Sequence, residues 1–214
     1  MTTPIPILIY EDNNELREAL SASLECEKDI LCCGAHPNAL QILNHVEEFA
    51  PAVILMDIDM PGINGIEAVK MVKSKFPEVE ILMLTVFEDN ENVFKSISAG
   101  ATGYLLKNSS VDKIVNSIRD VTNGGAPMSA SIARKIIQSF PEVKKHTNTA
   151  FQLSDREEKI LSLLVKGKSY KLIGEELFIS IDTVRTYIKR IYNKLHVHSA
   201  PEAVAIAIQQ KLIS

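Results

Sequence analysis

Residues 52–62 read AVILMDIDMPG, and this stretch decides the fold of the first half of the chain. A short, unbroken apolar run that ends in an acid is typical of a strand buried on both faces of a parallel sheet. Four similar runs flank it, and amphipathic segments of helical length separate all five. The alternation predicts an α/β domain in which a five-stranded parallel sheet has helices on both faces.

These runs give boundaries for the predicted elements. The expected strands are residues 5–10, 30–34, 52–56, 80–84 and 103–106. The expected helices are residues 13–25, 38–49, 64–75, 89–99 and 110–122.

Polar side chains follow four of the predicted strands. Glu11 and Asp12 follow the first strand, Asp57 the third, Thr85 the fourth and Lys107 the fifth. The carboxyl ends of parallel strands meet at one edge, where ligands bind. Clustered carboxylates need a cation, and oxygen ligands suit Mg²⁺. With a hydroxyl and an ammonium opposite, the pattern predicts a phosphoryl site whose nucleophile is Asp57.

The second half of the sequence is of a different kind. The turn residues NGGAP at 123–127 end the alternation, a lone helix is expected at 130–140, and residues 141–149 are polar and typical of a linker. Helices are then expected at 155–165, 169–177, 180–195 and 200–211, the first with a capping box of Ser154 and Glu157. The short turn between the second and third of these matches helix-turn-helix spacing.

The helix from Ser180 has two unlike faces. Its apolar stripe is Val184, Ile188, Ile191 and Leu195. The opposite face carries Asp182, Arg185, Thr186, Lys189 and Asn193, flanked by Arg190 and Lys194. Such donors and a threonine methyl suit base edges, and the flanking cations suit phosphates. A solvated basic face would have the same pattern.

The net charge of −4 averages two unlike halves. Residues 1–125 hold 9 basic and 19 acidic side chains, whereas residues 126–214 hold 14 and 8. This asymmetry indicates two domains with different partners, and the mild overall charge does not argue against DNA. No apolar run of about 18 residues predicts a membrane span, and no signal peptide is expected. Three cysteines, Cys26, Cys32 and Cys33, form no disulfide framework, so a cytoplasmic protein is expected.

Residues 4–122 resemble the receiver domain of bacterial two-component response regulators. The matching stretches are Glu11-Asp12, residues 56–62, Thr85 and residues 103–107. The resemblance implies a flavodoxin-like fold and phosphorylation of Asp57 by a sensor histidine kinase. It implies that Asp12, Asp57 and the backbone carbonyl of Asp59 hold Mg²⁺ with help from Glu11. It also implies that Thr85 and Tyr104 form a switch pair beside Lys107.

Residues 151–212 resemble the LuxR-type DNA-binding domain, and the two halves together resemble the NarL/FixJ family. The matching stretches are 153–157, Gly167 with Ser169, 179–185 and 194–197. The resemblance implies that Arg185, Thr186 and Lys189 enter the major groove, with Thr183 and Lys194 on the DNA backbone. It further implies that the last helix, apolar nearly all round, dimerises on DNA. Its residues Val204 and Ile208 are the candidates, although an ordinary core-covering helix has the same pattern.

Five residues depart from the commonest pattern. Val86 is large for its place and would crowd the phosphoryl pocket, and Asn108 stands where many receivers have proline. Tyr187 and Ala200 replace a common histidine and a common arginine. Gly174 lies inside a predicted helix, where it costs about 1 kcal/mol relative to alanine, and close packing of the next helix would explain it.

The sequence therefore predicts a receiver at 1–124, a linker with one helix at 125–150 and a LuxR-type domain at 151–214. Together they make a homodimeric, phosphorylation-switched transcription regulator with no substrate beyond its own phosphoryl transfer and dephosphorylation. The linker either transmits the switch or only tethers. Two alternatives stay open: a Mg²⁺-dependent phosphatase with an aspartyl-phosphate intermediate, favoured by a second acid at Asp59, and a constitutive DNA-binding protein with a purely structural receiver.

Overall fold

The computed structural model describes residues 3–86, 90–139, 153–210 and 212–213. Its first half contains the predicted five-stranded sheet, in the order β2-β1-β3-β4-β5 with all neighbours parallel. The strands are β1 (Ile5–Tyr10), β2 (Ile30–His36), β3 (Val53–Met56), β4 (Glu80–Thr85) and β5 (Gly103–Leu106). The helices of this half are α1 (Asn14–Glu25), α2 (Ile42–Phe49), α3 (Gly65–Lys75), α4 (Asn90–Ser98) and α5 (Val111–Thr122).

Both faces of the sheet are buried, which explains why β3 reads as an unbroken apolar run. Helices α1 and α5 cover one face through residues such as Leu24 and Ile118. Helices α2, α3 and α4 cover the other through residues such as Val46, Val69 and Ile97. The fold class predicted from the alternation is confirmed.

Element boundaries differ from the prediction by a few residues. Strand β2 runs two residues further, to His36, and β4 one further, to Thr85. Helix α2 begins at Ile42 rather than 38, because the Asn38 side chain accepts from the backbone N–H of Leu40 and holds a turn there. Residue 89, residue 140 and the predicted linker at 141–149 lie outside the described residues.

The segment after α5 packs against the sheet. The backbone N–H of Tyr104 on β5 donates to the carbonyl of Pro127, and Met128 forms a parallel bridge with Tyr104. Helix α6 (Ala130–Ser139) then lies on α4, with Ile132 and Ile136 buried in the same core. The described part of the linker is thus attached to the receiver half, while the predicted boundary at residue 125 stays a prediction.

After α6, the described part of the chain contains four helices: α7 (Asp155–Val165), α8 (Tyr170–Leu177), α9 (Ile181–Leu195) and α10 (Ala200–Gln209). The capping box of Ser154 and Glu157 is present. A Cβ on Gly174 would lie 2.8 Å from the carbonyl oxygen of Ile179, so the tight contact is with the turn before α9, whereas Val184 of α9 itself lies at an ordinary 3.7 Å. No helix in the described part of the chain has the length and apolar character needed to cross a membrane.

Candidate phosphoryl site and DNA-reading helix

The acidic residues predicted from the strand ends meet at one edge of the sheet. Strands β1 and β3 are hydrogen-bonded neighbours, which places Glu11 and Asp12 beside Asp57. One carboxylate oxygen from each lies within 4.8 Å of the others. Glu11 and Asp57 are buried, whereas Asp12 is exposed. The cluster is therefore open to solvent on the Asp12 side.

Lys107 holds the two buried carboxylates together. Its Nζ donates to Glu11 Oε1 and to Asp57 Oδ2, both at 2.8 Å. Asp57 Oδ1 accepts from the backbone N–H of Ile58, also at 2.8 Å. The backbone N–H of Lys107 donates to the carbonyl of Thr85, which joins the ends of β4 and β5.

One ammonium does not compensate this crowding of acids. Burial raises the pKa of Asp57 and the pKa of Glu11, although hydrogen bonds from Lys107 act in the opposite direction. Burial also acts to lower the pKa of Lys107, but its hydrogen bonds to Asp57 and Glu11 prevail and that pKa is raised. The site has a deficit of positive charge.

The donor set fits Mg²⁺. Glu11 Oε2 is buried and has no hydrogen-bond partner among the described residues. An unpaired buried carboxylate oxygen is costly, and a divalent cation between the acids would compensate it. Carboxylate oxygens with an open side for water are the ligands Mg²⁺ prefers. The geometry therefore supports a metal site between these acids.

The remaining predicted residues of this site lie around it. Thr85 and Tyr104 are both buried, on neighbouring strands β4 and β5. Asp59 is exposed. Val86 is 69% exposed, and its expected crowding of the phosphoryl pocket stays a prediction.

Sequence reasoning missed two residues of the site. A Cβ on Gly65, the first residue of α3, would lie 1.8 Å from the backbone oxygen of Asp57, so only glycine fits there. Arg17 Nη1 donates to the backbone carbonyls of Glu11 at 2.7 Å and Asp12 at 3.3 Å, and so ties down the acidic loop. A glycine directly after the N-cap Asn64 was the available signal for the first.

Helix α9 presents the predicted DNA-reading side chains on its outer face. Arg185, Thr186, Lys189 and Arg190 are exposed. The Thr186 hydroxyl donates to the carbonyl of Asp182 at 2.9 Å, and the Thr183 and Ser180 hydroxyls hydrogen-bond to each other at 2.8 Å.

Lys194 differs from the expectation. Its Nζ lies 2.6 Å from Oε2 of Glu157, a buried residue of α7, so the ammonium is held by the domain's own core. Lys194 therefore lies beside α7 as well as beside the basic face of α9. The sequence pattern did not reveal the contact with α7. A contact between Lys194 and the DNA backbone stays a prediction.

The two halves touch through α8 and α9. The backbone N–H of Tyr170 donates to the carbonyl of Asn123 at 2.8 Å, and the Tyr170 ring lies directly over Gly124. Within the second half, the Tyr170 hydroxyl lies 3.2 Å from the Tyr192 hydroxyl. Arg185 Nη2 donates to the carbonyl of Thr122 at 3.0 Å. A side chain predicted to read DNA is thus bonded to the receiver half.

Helix α10 is also partly covered. Val204 is half-buried and shares a cavity with Met128 and Ile136 of the linker segment. Ile208 is 44% exposed. The predicted dimerisation face therefore lies in part against the linker in this arrangement.

Comparison with known proteins identifies the family of both halves. Residues 7–119 match the family model described as the response regulator receiver domain, and residues 151–207 match the bacterial regulatory proteins of the luxR family. The transcriptional regulatory protein LiaR of Bacillus subtilis (strain 168) is 35% identical over 210 residues, covering 98% of this chain and 100% of LiaR. This chain belongs to the response regulators of two-component systems, with a LuxR-type DNA-binding domain.

Further relatives agree with that membership. The oxygen regulatory protein NreC of Staphylococcus epidermidis (strain ATCC 12228 / FDA PCI 1200) is 32% identical, covering 97% of this chain and 98% of NreC. The crystal structure of the response regulator ChrA of a heme-sensing two-component system is similar along the whole chain. Its TM-score is 0.53 and its identity 28%, over 98% of this chain and 99% of ChrA. The chain is a transcription regulator of this family rather than a classical enzyme.

Proposed function

We propose that this response regulator accepts a phosphoryl group on Asp57 from a sensor histidine kinase and thereby gains affinity for DNA. The observation that supports it best is the Lys107 ammonium, which bridges Asp57 and Glu11, with the unpaired Oε2 of Glu11 beside it. The phosphatase alternative gains no support, because it does not explain why the chain has a second domain of a DNA-binding type.

The chain's own residues catalyse the transfer. An Asp57 oxygen attacks phosphorus, and the bond from phosphorus to the donor's histidine nitrogen, or to the acyl oxygen of acetyl phosphate, breaks. Lys107, already 2.8 Å from Asp57, pairs with a phosphoryl oxygen. Asp12, Asp57 and the carbonyl of Asp59 would hold Mg²⁺, with Glu11 assisting. When bound, the ion neutralises phosphoryl oxygens and aligns the reacting groups.

Switching would follow from the ends of β4 and β5. Thr85 turns its hydroxyl toward the phosphoryl group, and Tyr104 shifts behind it. Because the Tyr104 backbone holds Pro127, and α6 lies between α4 and the cavity beside Val204, this shift is passed to the linker and α10. The contacts of Tyr170 and Arg185 with the end of α5 then break. The linker transmits rather than only tethers.

The freed second half would act on DNA. Arg185, Thr186 and Lys189 read base edges, while Thr183, Arg190 and Lys194 meet the backbone. Val204 and Ile208 form the face of a homodimer, whose half-sites lie about one helical turn apart. Three free thiols and a DNA partner fit a protein of the cytoplasm.

Labelling tests the first step. The full chain with acetyl phosphate and Mg²⁺ is expected to gain the mass of one phosphoryl group, and D57N is expected to gain none. D112N, which alters an exposed carboxylate on α5, serves as the matched control and should label normally. Undiminished labelling of D57N would contradict the assignment.

A further inference from the structure

A cavity of about 600 Å³ lies where the two halves meet. Pro51 and Val121 form its receiver wall, and Ile188 and Lys189 of α9 form the opposite wall. The volume falls within the range of about 300–1,000 Å³ typical of small-molecule sites, which occur preferentially between domains. The cavity is remote from the phosphoryl site, because it adjoins Glu80, at the opposite end of β4 from Thr85.

Buried polar groups converge on this cavity. The Lys73 side chain is 7% exposed, and its Nζ lies 3.6 Å from Glu80 Oε2, which also accepts from the Thr102 hydroxyl at 2.5 Å. The paired hydroxyls of Tyr170 and Tyr192 form another part of the lining. Burial lowers the pKa of Lys73 and raises the pKa of Tyr170. Neither phosphoryl transfer nor base reading uses these groups.

Cations line the side formed by α9. Arg185 reaches across to the Thr122 carbonyl and to Asp182, and Lys189 forms no ion pair within the part of the chain that the structure describes. These are the side chains that would bind DNA, so the cavity wall already suits an anionic group. The proline and aliphatic side chains suit a flat apolar body, and Glu80 and the tyrosine hydroxyls accept from a donor.

We propose that this interdomain cavity binds a small aromatic anion, with its acidic group on Lys189 and Arg185 and a hydrogen-bond donor toward Glu80. The cavity exists only while Tyr170 and Arg185 contact the end of α5, which we call the closed arrangement. A bound ligand therefore stabilises the closed arrangement. By linkage it must lower the affinity for DNA by the same factor by which DNA lowers the affinity for the ligand. This proposal rests on the proposed function, in which the second half binds DNA only after its contacts with the end of α5 have broken.

Fluorescence titration with anilinonaphthalene sulfonate tests the site, since this probe combines an apolar aromatic body, an N–H donor and a sulfonate. The unphosphorylated full chain is expected to bind one equivalent saturably. K189Q, and A52W, which fills the cavity with an indole, should each weaken binding about tenfold or more. R190Q removes the neighbouring cation of α9, which does not line the cavity, and should leave binding unchanged.

DNA competition supplies the second readout. Saturating probe should weaken binding of a random-sequence duplex by the wild-type chain and not by A52W. Equal probe affinity in wild type, K189Q and A52W, or no effect of the probe on DNA binding by the wild type, would overturn the proposal. The titration uses neither phosphate nor Asp57, so it fails or succeeds independently of the phosphorylation assignment.

Discussion

Asp57 is the residue on which the proposed chemistry depends, and its surroundings make it costly to keep ionised. It is buried beside Glu11 and shares a single ammonium, Lys107, with it. Because its pKa is raised in the folded chain, folding is opposed once the carboxyl ionises in the unfolded chain, above a pH of about 4. The ionised Asp57 carboxylate therefore lowers the free energy of unfolding at neutral pH.

Replacing Asp57 by asparagine should therefore stabilise the protein at neutral pH. We expect D57N to raise the free energy of unfolding by about 1 kcal/mol without Mg²⁺, seen as a melting temperature higher by about 2–4 °C. Because the pKa of Asp57 is raised in the folded chain, the difference in free energy of unfolding between D57N and the wild type should become smaller as the pH falls toward the pKa of this carboxyl in the unfolded chain. E25Q, which removes an exposed carboxylate at the end of α1, is the control. A lower melting temperature for D57N would contradict the charge-deficit account.

The residues of the phosphoryl site were predictable because strand ends fix their positions. A parallel sheet brings Glu11, Asp57 and Lys107 to one edge whatever the loops do. Gly65 and Arg17 were not predictable, since their roles depend on how closely α3 approaches Asp57 and on where a guanidinium meets the loop carbonyls. Periodicity carries no information about either distance.

At the scale of elements, the join between α7 and α9 is the clearest case of packing overriding a surface pattern. Lys194 follows the basic face of α9 in sequence, yet its ammonium pairs with the buried Glu157 carboxylate. Burial raises the pKa of that carboxyl, but hydrogen bonds from Lys194 and Ser154 prevail and lower it overall. The stability this contributes is present above the unfolded pKa and is lost as the pH falls through the folded one.

K194Q should destabilise the second half by leaving Glu157 buried without its cation. We expect a loss of about 1–3 kcal/mol in the free energy of unfolding at neutral pH, measured by thermal denaturation of the full chain. R190Q is the matched control, since Arg190 is an exposed cation of the same helix resting on the Tyr187 ring. Equal melting temperatures for the two variants would show that Lys194 is only a surface cation.

The whole molecule is organised by the contact between its halves, which no motif in the sequence predicted. Apolar periodicity identifies each half's core, but it does not say which two surfaces meet. The contact rests on the Tyr170 ring over Gly124, where an added Cβ would lie 2.0 Å from the ring. Charge asymmetry near residue 125 predicted two domains, not their closed arrangement.

Gly124→Ala should open the closed arrangement without phosphorylation. The methyl group displaces Tyr170, frees Arg185 and strengthens binding of a random-sequence duplex, which depends on exposed cations. Gly167→Ala is the matched control, because Gly167 has φ +77 against +80 for Gly124 but no atom within 4 Å of its Cβ. Both variants strain the backbone, and only the first meets a clash between domains. An equal effect of both on DNA binding would contradict the account.

The central claim is that phosphorylation of Asp57 releases the second half from the receiver, and hydrogen exchange at the Tyr170 amide tests it most directly. This N–H donates to the Asn123 carbonyl across the contact at 2.8 Å. With acetyl phosphate and Mg²⁺, the Tyr170 amide of the wild-type chain should exchange faster, and that of D57N should not change. Unchanged exchange at Tyr170 in a chain fully phosphorylated on Asp57 would contradict the claim.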